Sequence, residues 1–288
     1  MSTLTSEQAP GPQELEALLR LLDDDTPAVR EKIEERLTAS GGDISEYLAS
    51  RENRLSKEDE RLLSELLQEG RRQRLHADWE TPSSGALGLR EDWERFESML
   101  RVLSDFLHDG ITCRQSLSDA LDLIADEARD KGIADADQLR DHLFKQGLLR
   151  GNHKGYDDPR NSDLSWCILE GKSNPIGLGV LFTLIARRLD LVVEPVPFPQ
   201  HFLCRIYEGG RPMIVDCFNR GQLHPQEELL KNPDLSEAER HSLKRVADPG
   251  STLVRILNNL HSALMIADRE EDAELIAQLR QSLMLAEA

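Results

Sequence analysis

Ser173-Asn174-Pro175-Ile176-Gly177-Leu178-Gly179-Val180-Leu181 is the stretch whose reading decides the fold. Asparagine followed by proline is a strong helix start. The Asn174 side chain can accept one of the amide hydrogens that a first turn leaves unpaired, and Pro175 has no such hydrogen to lose and a φ already set for a helix. The body that follows, GLGVLFTLIARRL, is apolar nearly all round, which predicts a helix buried on most sides. Gly177 and Gly179 lower helix propensity, and close approach of another element is the structural reason to place them there.

Downstream the pattern changes from helical to alternating. Strands are predicted at Leu191 to Val196, His201 to Tyr207 and Pro212 to Phe218, with Glu208-Gly209-Gly210 as the tight turn between the last two. A buried helix followed by a hairpin carrying His201 and then Asp216 has the chain order of a cysteine-hydrolase site. In such a site a thiol on the helix's first turn is acidified by the helix N-terminus and an imidazole, which a carboxylate orients. Upstream, GNHKGYDDPRNSDLSWCILEGKSN reads as an ordered loop leading to a helix capped near Ser162 or Asp163. Asn152, Asp158, Asn161, Ser162, Asn174 and Gly177 are therefore ligand-binding candidates around the helix start. Turn and capping bonds are the structural alternative for the polar members of this set.

Several ordered motifs then carry a resemblance. Asp158 to Ser162, Pro175-Ile176, Ala186 to Leu189, His201-Phe202-Leu203, and Asp216 with Phe218 and Gly221 resemble the transglutaminase-like core family of bacteria, in the branch named after the invasion regulator SirB. The likeness covers roughly residues 92 to 230. It implies an α+β fold: a transglutaminase-like (papain-like) core of a buried helix against a small antiparallel sheet, flanked by helical hairpins. Counting back from Asp190, which matches the glycine closing the family's helix, places Pro175 at the position of the family's nucleophilic cysteine. Ser173, Asn174, Gly177, Asp190 and Gln200 depart from the family pattern. The resemblance thus implies a remnant triad, His201 and Asp216 with Pro175 in place of the thiol.

The cysteines offer no obvious replacement. Cys113, Cys167, Cys204 and Cys217 lack C-x-x-C spacing, so neither a disulfide framework nor a zinc knuckle is indicated. Strand alternation turns Cys204 and Cys217 away from the His201 and Asp216 face. Cys167 sits in an apolar run between Trp166 and Ile168. His153 has no carboxylate or thiolate at ligand spacing, so no metal and no cofactor are expected.

The flanks are helical. Leucines 15, 18, 19 and 22, then Val29, Ile33 and Leu37, outline a hairpin that resembles a HEAT unit, with Thr26 as cap before Pro27. A further helix is expected from Lys57 to Leu75. Three more carry Phe96 to Leu107, Leu117 to Ala128 and Ala136 to Gln146. Helices are also expected at His224 to Leu230 and Ser236 to Val246, and the final pair, Thr252 to Ala267 and Glu271 to Leu285, resembles a tetratricopeptide unit. The expected organisation is a helical region over 1–79, a linker over 80–91, the core over 92–246 and the terminal hairpin over 247–288.

Across its 288 residues the chain carries 53 acidic against 35 basic side chains, a formal charge of −18. Such a surface repels phosphate backbones and anionic lipids, which argues against nucleic acid and membrane as partners. With acids near the N-terminus and no membrane-length apolar run, a cytoplasmic protein is expected. The expected function is a non-catalytic regulatory or protein-interaction protein, with a protein partner and a small anionic ligand held at the helix start. The alternative is a hydrolase or acyltransferase using His201 and Asp216 with water or with Cys167.

Overall fold

The structure is a computed structural model that describes residues 9–285. The acidic N-terminus behind the cytoplasmic expectation lies partly in residues 1–8, outside the described residues. The chain forms two compact units, one of residues up to 79 together with 105–114, the other of residues 80–104 together with those from 115 onward.

The first unit contains α1 (Pro12–Arg20), α2 (Pro27–Thr38), α3 (Ser45–Ala49), α4 (Lys57–Leu66) and α5 (Gln68–Asp78). Leu15, Leu18, Leu19, Leu22, Ile33, Leu37, Leu63 and Leu67 close into one core, the apolar stripes of the sequence brought together. Two details differ from expectation. The Thr26 hydroxyl makes no cap bond; the Thr26 amide instead donates to Asp24 Oδ1 at 2.8 Å. The helix expected from Lys57 to Leu75 is two helices meeting at Leu67, where the Arg71 guanidinium reaches back to the Ser64 carbonyl at 2.9 Å.

The second unit contains α6 (Trp93–Leu107, up to Ser104), α7 (Leu117–Asp130), α8 (Ala136–Arg140), β1 (Arg150–Gly151), α9 (Leu164–Glu170), β2 (Lys172–Ser173) and α10 (Pro175–Arg188). There follow β3 (Glu194–Val196), β4 (Leu203–Glu208), β5 (Arg211–Asp216), β6 (Gln222–Pro225), α11 (Gln226–Lys231), α12 (Glu237–Ser242), α13 (Pro249–Ile266) and α14 (Glu270–Leu285). Every residue of α10 from Pro175 to Ala186 is buried, as its all-apolar body predicts. Strands β3 to β6 form an antiparallel sheet in sequence order, so the architecture is α+β as expected. Gly209 and Gly210 both have positive φ, which is why this two-residue turn, closed by the Glu208–Arg211 pair, is written with glycine.

Alternation along β4 sends its two faces to two different layers. Phe202 and Cys204 face α10: a side chain on Gly179 would come within 2.6 Å of the Phe202 ring, and Cys204 Sγ lies 3.6 Å from the Gly179 carbonyl. Leu203, with Val196, Ile214 and Leu243, packs on the opposite face against Leu229, Leu230 and Leu235. The sheet is thus covered on both sides. Strand β6 corrects the expectation of helix from His224 onward: Ile214 pairs with His224 and Met213 with Pro225, and only then does α11 begin.

The segment expected as a linker carries a 3-10 turn, Gly85–Leu89, with Ala86 and Leu89 buried. Gly250, in the first turn of α13, lies so close to the Ala86 carbonyl that it has no room for a side chain. Among the described residues no helix is long and apolar enough to cross a membrane.

Candidate functional site

The site grows from the start of α10. Asn174 Oδ1 accepts the Gly177 amide at 2.9 Å, and the Asn174 carbonyl accepts the Leu178 amide at 3.1 Å. The amides expected to hold an anion at Gly177 and Leu178 are therefore engaged inside the helix, and Pro175 has none to offer. Gly177 is glycine for a packing reason: Ser173 Oγ and the Asn161 carbonyl occupy the space a side chain would need.

Behind this turn, Asn161 is the hub of the upstream loop. Its Nδ2 donates to the carbonyls of Gly155 (2.7 Å) and Tyr156 (2.9 Å), and its Oδ1 accepts from Asn152 Nδ2 at 3.0 Å. Its own carbonyl accepts from Ser173 Oγ at 2.9 Å. Asn152 Oδ1 in turn accepts the Gly155 amide, while Ser162 is buried in the 3-10 turn Pro159–Ser162. Asp158 caps that turn and binds the Arg160 guanidinium, with its closest contact at 2.8 Å. Burial would raise the Asp158 carboxyl, but the Arg160 bonds outweigh it and hold the pKa below the usual carboxylate value. The side chains of Asn152, Asp158, Asn161 and Asn174 thus spend their polar groups on the loop and the helix start, the structural alternative open at the level of sequence.

His201 and Asp216 do meet, at 2.9 Å between Nε2 and Oδ1. His201 precedes β4 rather than beginning it, after Gln200 in the left-handed region, and the sheet register begins at Leu203. Asp216 closes β5 and also accepts the Asn219 amide (3.1 Å) and Asn219 Nδ2 (2.8 Å), so it orients the imidazole and ties the following turn at once. Desolvation opposes its ionisation, yet the bonds from His201 and Asn219 hold its pKa below the usual carboxylate value. A depressed folded-state pKa means that this stabilisation is present at neutral pH and is lost as pH falls below the unfolded Asp value of about 4. The stability advantage of the native protein over Asp216→Asn should therefore shrink on acidification through that range in paired denaturant titrations; a constant difference from pH 7 to 3 would contradict it.

Around the pair lies an aromatic wall. Phe218 has His153 at 4.4 Å, Tyr156 at 5.9 Å and His201 at 6.3 Å between ring centroids. Gly151 permits this, because a side chain there would strike the Phe218 carbonyl. Tyr156 is about half exposed and so forms a rim to this wall. Trp166 lies apart, with Arg160 and Lys172 each over its ring. Arg255 of α13 was invisible at the level of motifs: its Nη2 donates to the His201 carbonyl at 2.9 Å. The available signal was a lone cation between buried Leu253 and Ile256.

Cys167 is buried, with Sγ 3.4 Å from the Asn161 carbonyl, and Cys204 and Cys217 are buried together, desolvation pushing the Cys217 thiol well up. Cys113 is exposed and belongs to the other unit. Among the described residues no group of three His, Cys, Asp or Glu side chains could hold a metal ion.

Comparison with known proteins agrees with this architecture. Residues 112–258 match the family model described as "Transglutaminase-like superfamily". The match extends into α13 and stops at Asn258, so only the first part of α13 lies inside the matched region. A "UPF0162 protein" of Xylella fastidiosa is 38% identical over 46% of this chain and 50% of its own. "Protein SirB1" of Salmonella typhimurium is 28% identical over 45% of this chain and 51% of its own. "F-box only protein 21" of Homo sapiens is 32% identical over 27% of this chain and 12% of its own. The chain thus spans about half the length of the bacterial relatives it matches. No solved structure matches it.

Proposed function

Because the chain belongs to the transglutaminase-like superfamily, we propose that it is a non-catalytic regulatory protein that binds a partner or ligand at the site once used for acyl chemistry. What carries the reading is the Asn174-Pro175 helix start. Pro175, which the resemblance puts at the nucleophile position, offers neither a thiol nor an amide hydrogen, and the Gly177 amide that could stabilise an oxyanion is taken by the Asn174 side chain. What remains is a histidine, a carboxylate and an aromatic rim. These can recognise a ligand without transforming it. The helical hairpins would supply protein-binding surface, and a cytoplasmic location is part of the same proposal.

Thiol chemistry tests it. Iodoacetamide applied to the native protein should label Cys113 alone, and His201→Ala should leave the labelling unchanged when read by peptide mass spectrometry. Stoichiometric labelling at Cys167, Cys204 or Cys217 that disappears in His201→Ala would replace this reading with the hydrolase or acyltransferase alternative.

A further inference from the structure

Arg255 has no acid. Its guanidinium is half-buried, donates one hydrogen bond to the His201 carbonyl at 2.9 Å and lies over the Phe202 ring at 5.5 Å. Among the described residues no carboxylate forms an ion pair with it. Supply is not the reason, in a chain with 53 acidic side chains. Among the other buried or half-buried arginines of this unit, Arg140 pairs with Asp137 and Asp141, Arg188 with Glu97 and Asp122, and Arg205 with Glu194, whereas Arg240 and Arg280 bind neutral oxygens only. Burial pushes the Arg255 guanidinium below its ordinary pKa, with Tyr156 the only opposing influence.

A guanidinium carries five N–H donors in a planar fork that fits a carboxylate through two parallel bonds. One donor here is used on a carbonyl. Leaving a partly desolvated cation without a counter-ion opposes folding, and such local conflicts gather where a ligand completes the site. The surroundings agree. The Tyr156 ring is half exposed and shares the Phe218 wall with His201, whose carbonyl Arg255 holds.

We propose that Arg255 anchors a carboxylate-bearing ligand beside the His201–Asp216 pair, with Tyr156 and Phe218 against the ligand's apolar part. This rests on the binding reading of the site in one respect only, that something occupies the space next to His201. The carboxylate could be that of a small organic acid or of a peptide C-terminus, and the two are separable by experiment.

The test uses the full chain at low ionic strength, with benzoate as the small acid, N-acetyl-glycyl-phenylalanine as the peptide terminus, and benzamide and the peptide amide as neutral counterparts. Binding is read from ring resonances of Tyr156 and His201. At least one acid should give saturable shifts that its amide does not give. Arg255→Met should weaken that acid about tenfold or more, and Arg255→Lys, which keeps charge but not the fork, by an intermediate amount. The peptide binding better than benzoate assigns a chain terminus; the reverse assigns a small acid. The proposal is overturned by equal binding of acid and amide, by unchanged affinity in a folded Arg255→Met, or by no saturable binding of either acid. Should Arg255→Met not fold, Arg255→Lys alone decides: unchanged affinity there overturns the proposal as well. His201-dependent cysteine labelling would remove the non-catalytic reading and leave these outcomes standing, so the two failures are distinguishable.

Discussion

Asn161→Ala is expected to destabilise the second unit by about 3 kcal/mol, from roughly 1 kcal/mol for each of three hydrogen bonds removed, one buried and two part-buried. The side chain satisfies the carbonyls of Gly155 and Tyr156 and the Asn152 Nδ2 in one stroke, and alanine leaves the Tyr156 carbonyl and Asn152 Nδ2 unpaired and the Gly155 carbonyl with the Asp158 amide alone. For a unit of this size the melting temperature should fall by about 10 °C. The loss should also be non-additive with Asn152→Ala, because the two side chains share a bond. The same loop carries Tyr156 and lies against Phe218, so the substitution should broaden the Tyr156 ring resonances before global unfolding. A loss below about 1 kcal/mol would mean that water replaces these bonds and that Asn161 is not the hub described.

Glu194→Leu is expected to be comparably severe, for an electrostatic reason. Arg205 on β4 is buried and held by Glu194 at 2.7 Å, with Gln226 Oε1 at 3.1 Å and the Leu243 carbonyl at 3.2 Å. Removing the carboxylate leaves the cation with neutral acceptors only. Breaking a buried pair from one side typically destabilises by about 3–5 kcal/mol, and the partial exposure of Glu194 puts the value near the lower end. The double variant Glu194→Leu with Arg205→Met should recover most of the loss, since it removes the stranded charge along with its partner. Chemical denaturation of the two variants checks this. A double variant less stable than the single one would show that Arg205 contributes through its neutral bonds instead.

The parts of the fold that follow from repeating patterns were legible. The all-apolar body after Asn174-Pro175 could only be a buried helix, and the double glycine at 209 and 210 could only be a tight turn. Two short elements were not legible, for a definite reason. The five residues of α3 and the four of β6 are too short to establish a period, and the extended segment Gln222–Pro225 is fixed by pairing with β5, a long-range bond that no local pattern announces. The site divides in the same way. His201 and Asp216 could be paired because the hairpin brings the end of β5 beside the residues just before β4. The engagement of the Gly177 amide follows from Asn174 being a cap, but its consequence for anion binding appears only when the partners are seen together. Arg255 comes from a helix that sequence order sets apart from the core.

That last placement bears on how the unit is made. Helix α13 touches the start and the middle of the unit's chain: Gly250 lies on Ala86, and Arg255 holds the loop at His201. As the chain leaves the ribosome, α10 and the hairpin can form with local contacts, while the 3-10 turn at Gly85–Leu89 and the back of the His201 loop wait for residues beyond Pro249. The site is therefore among the last parts of the unit to be completed during synthesis, with only α14 still to follow. A chain released before α13 should bury its central helix and still lack a finished site, and the wait for so distant a partner makes this closing step slow relative to the local ones.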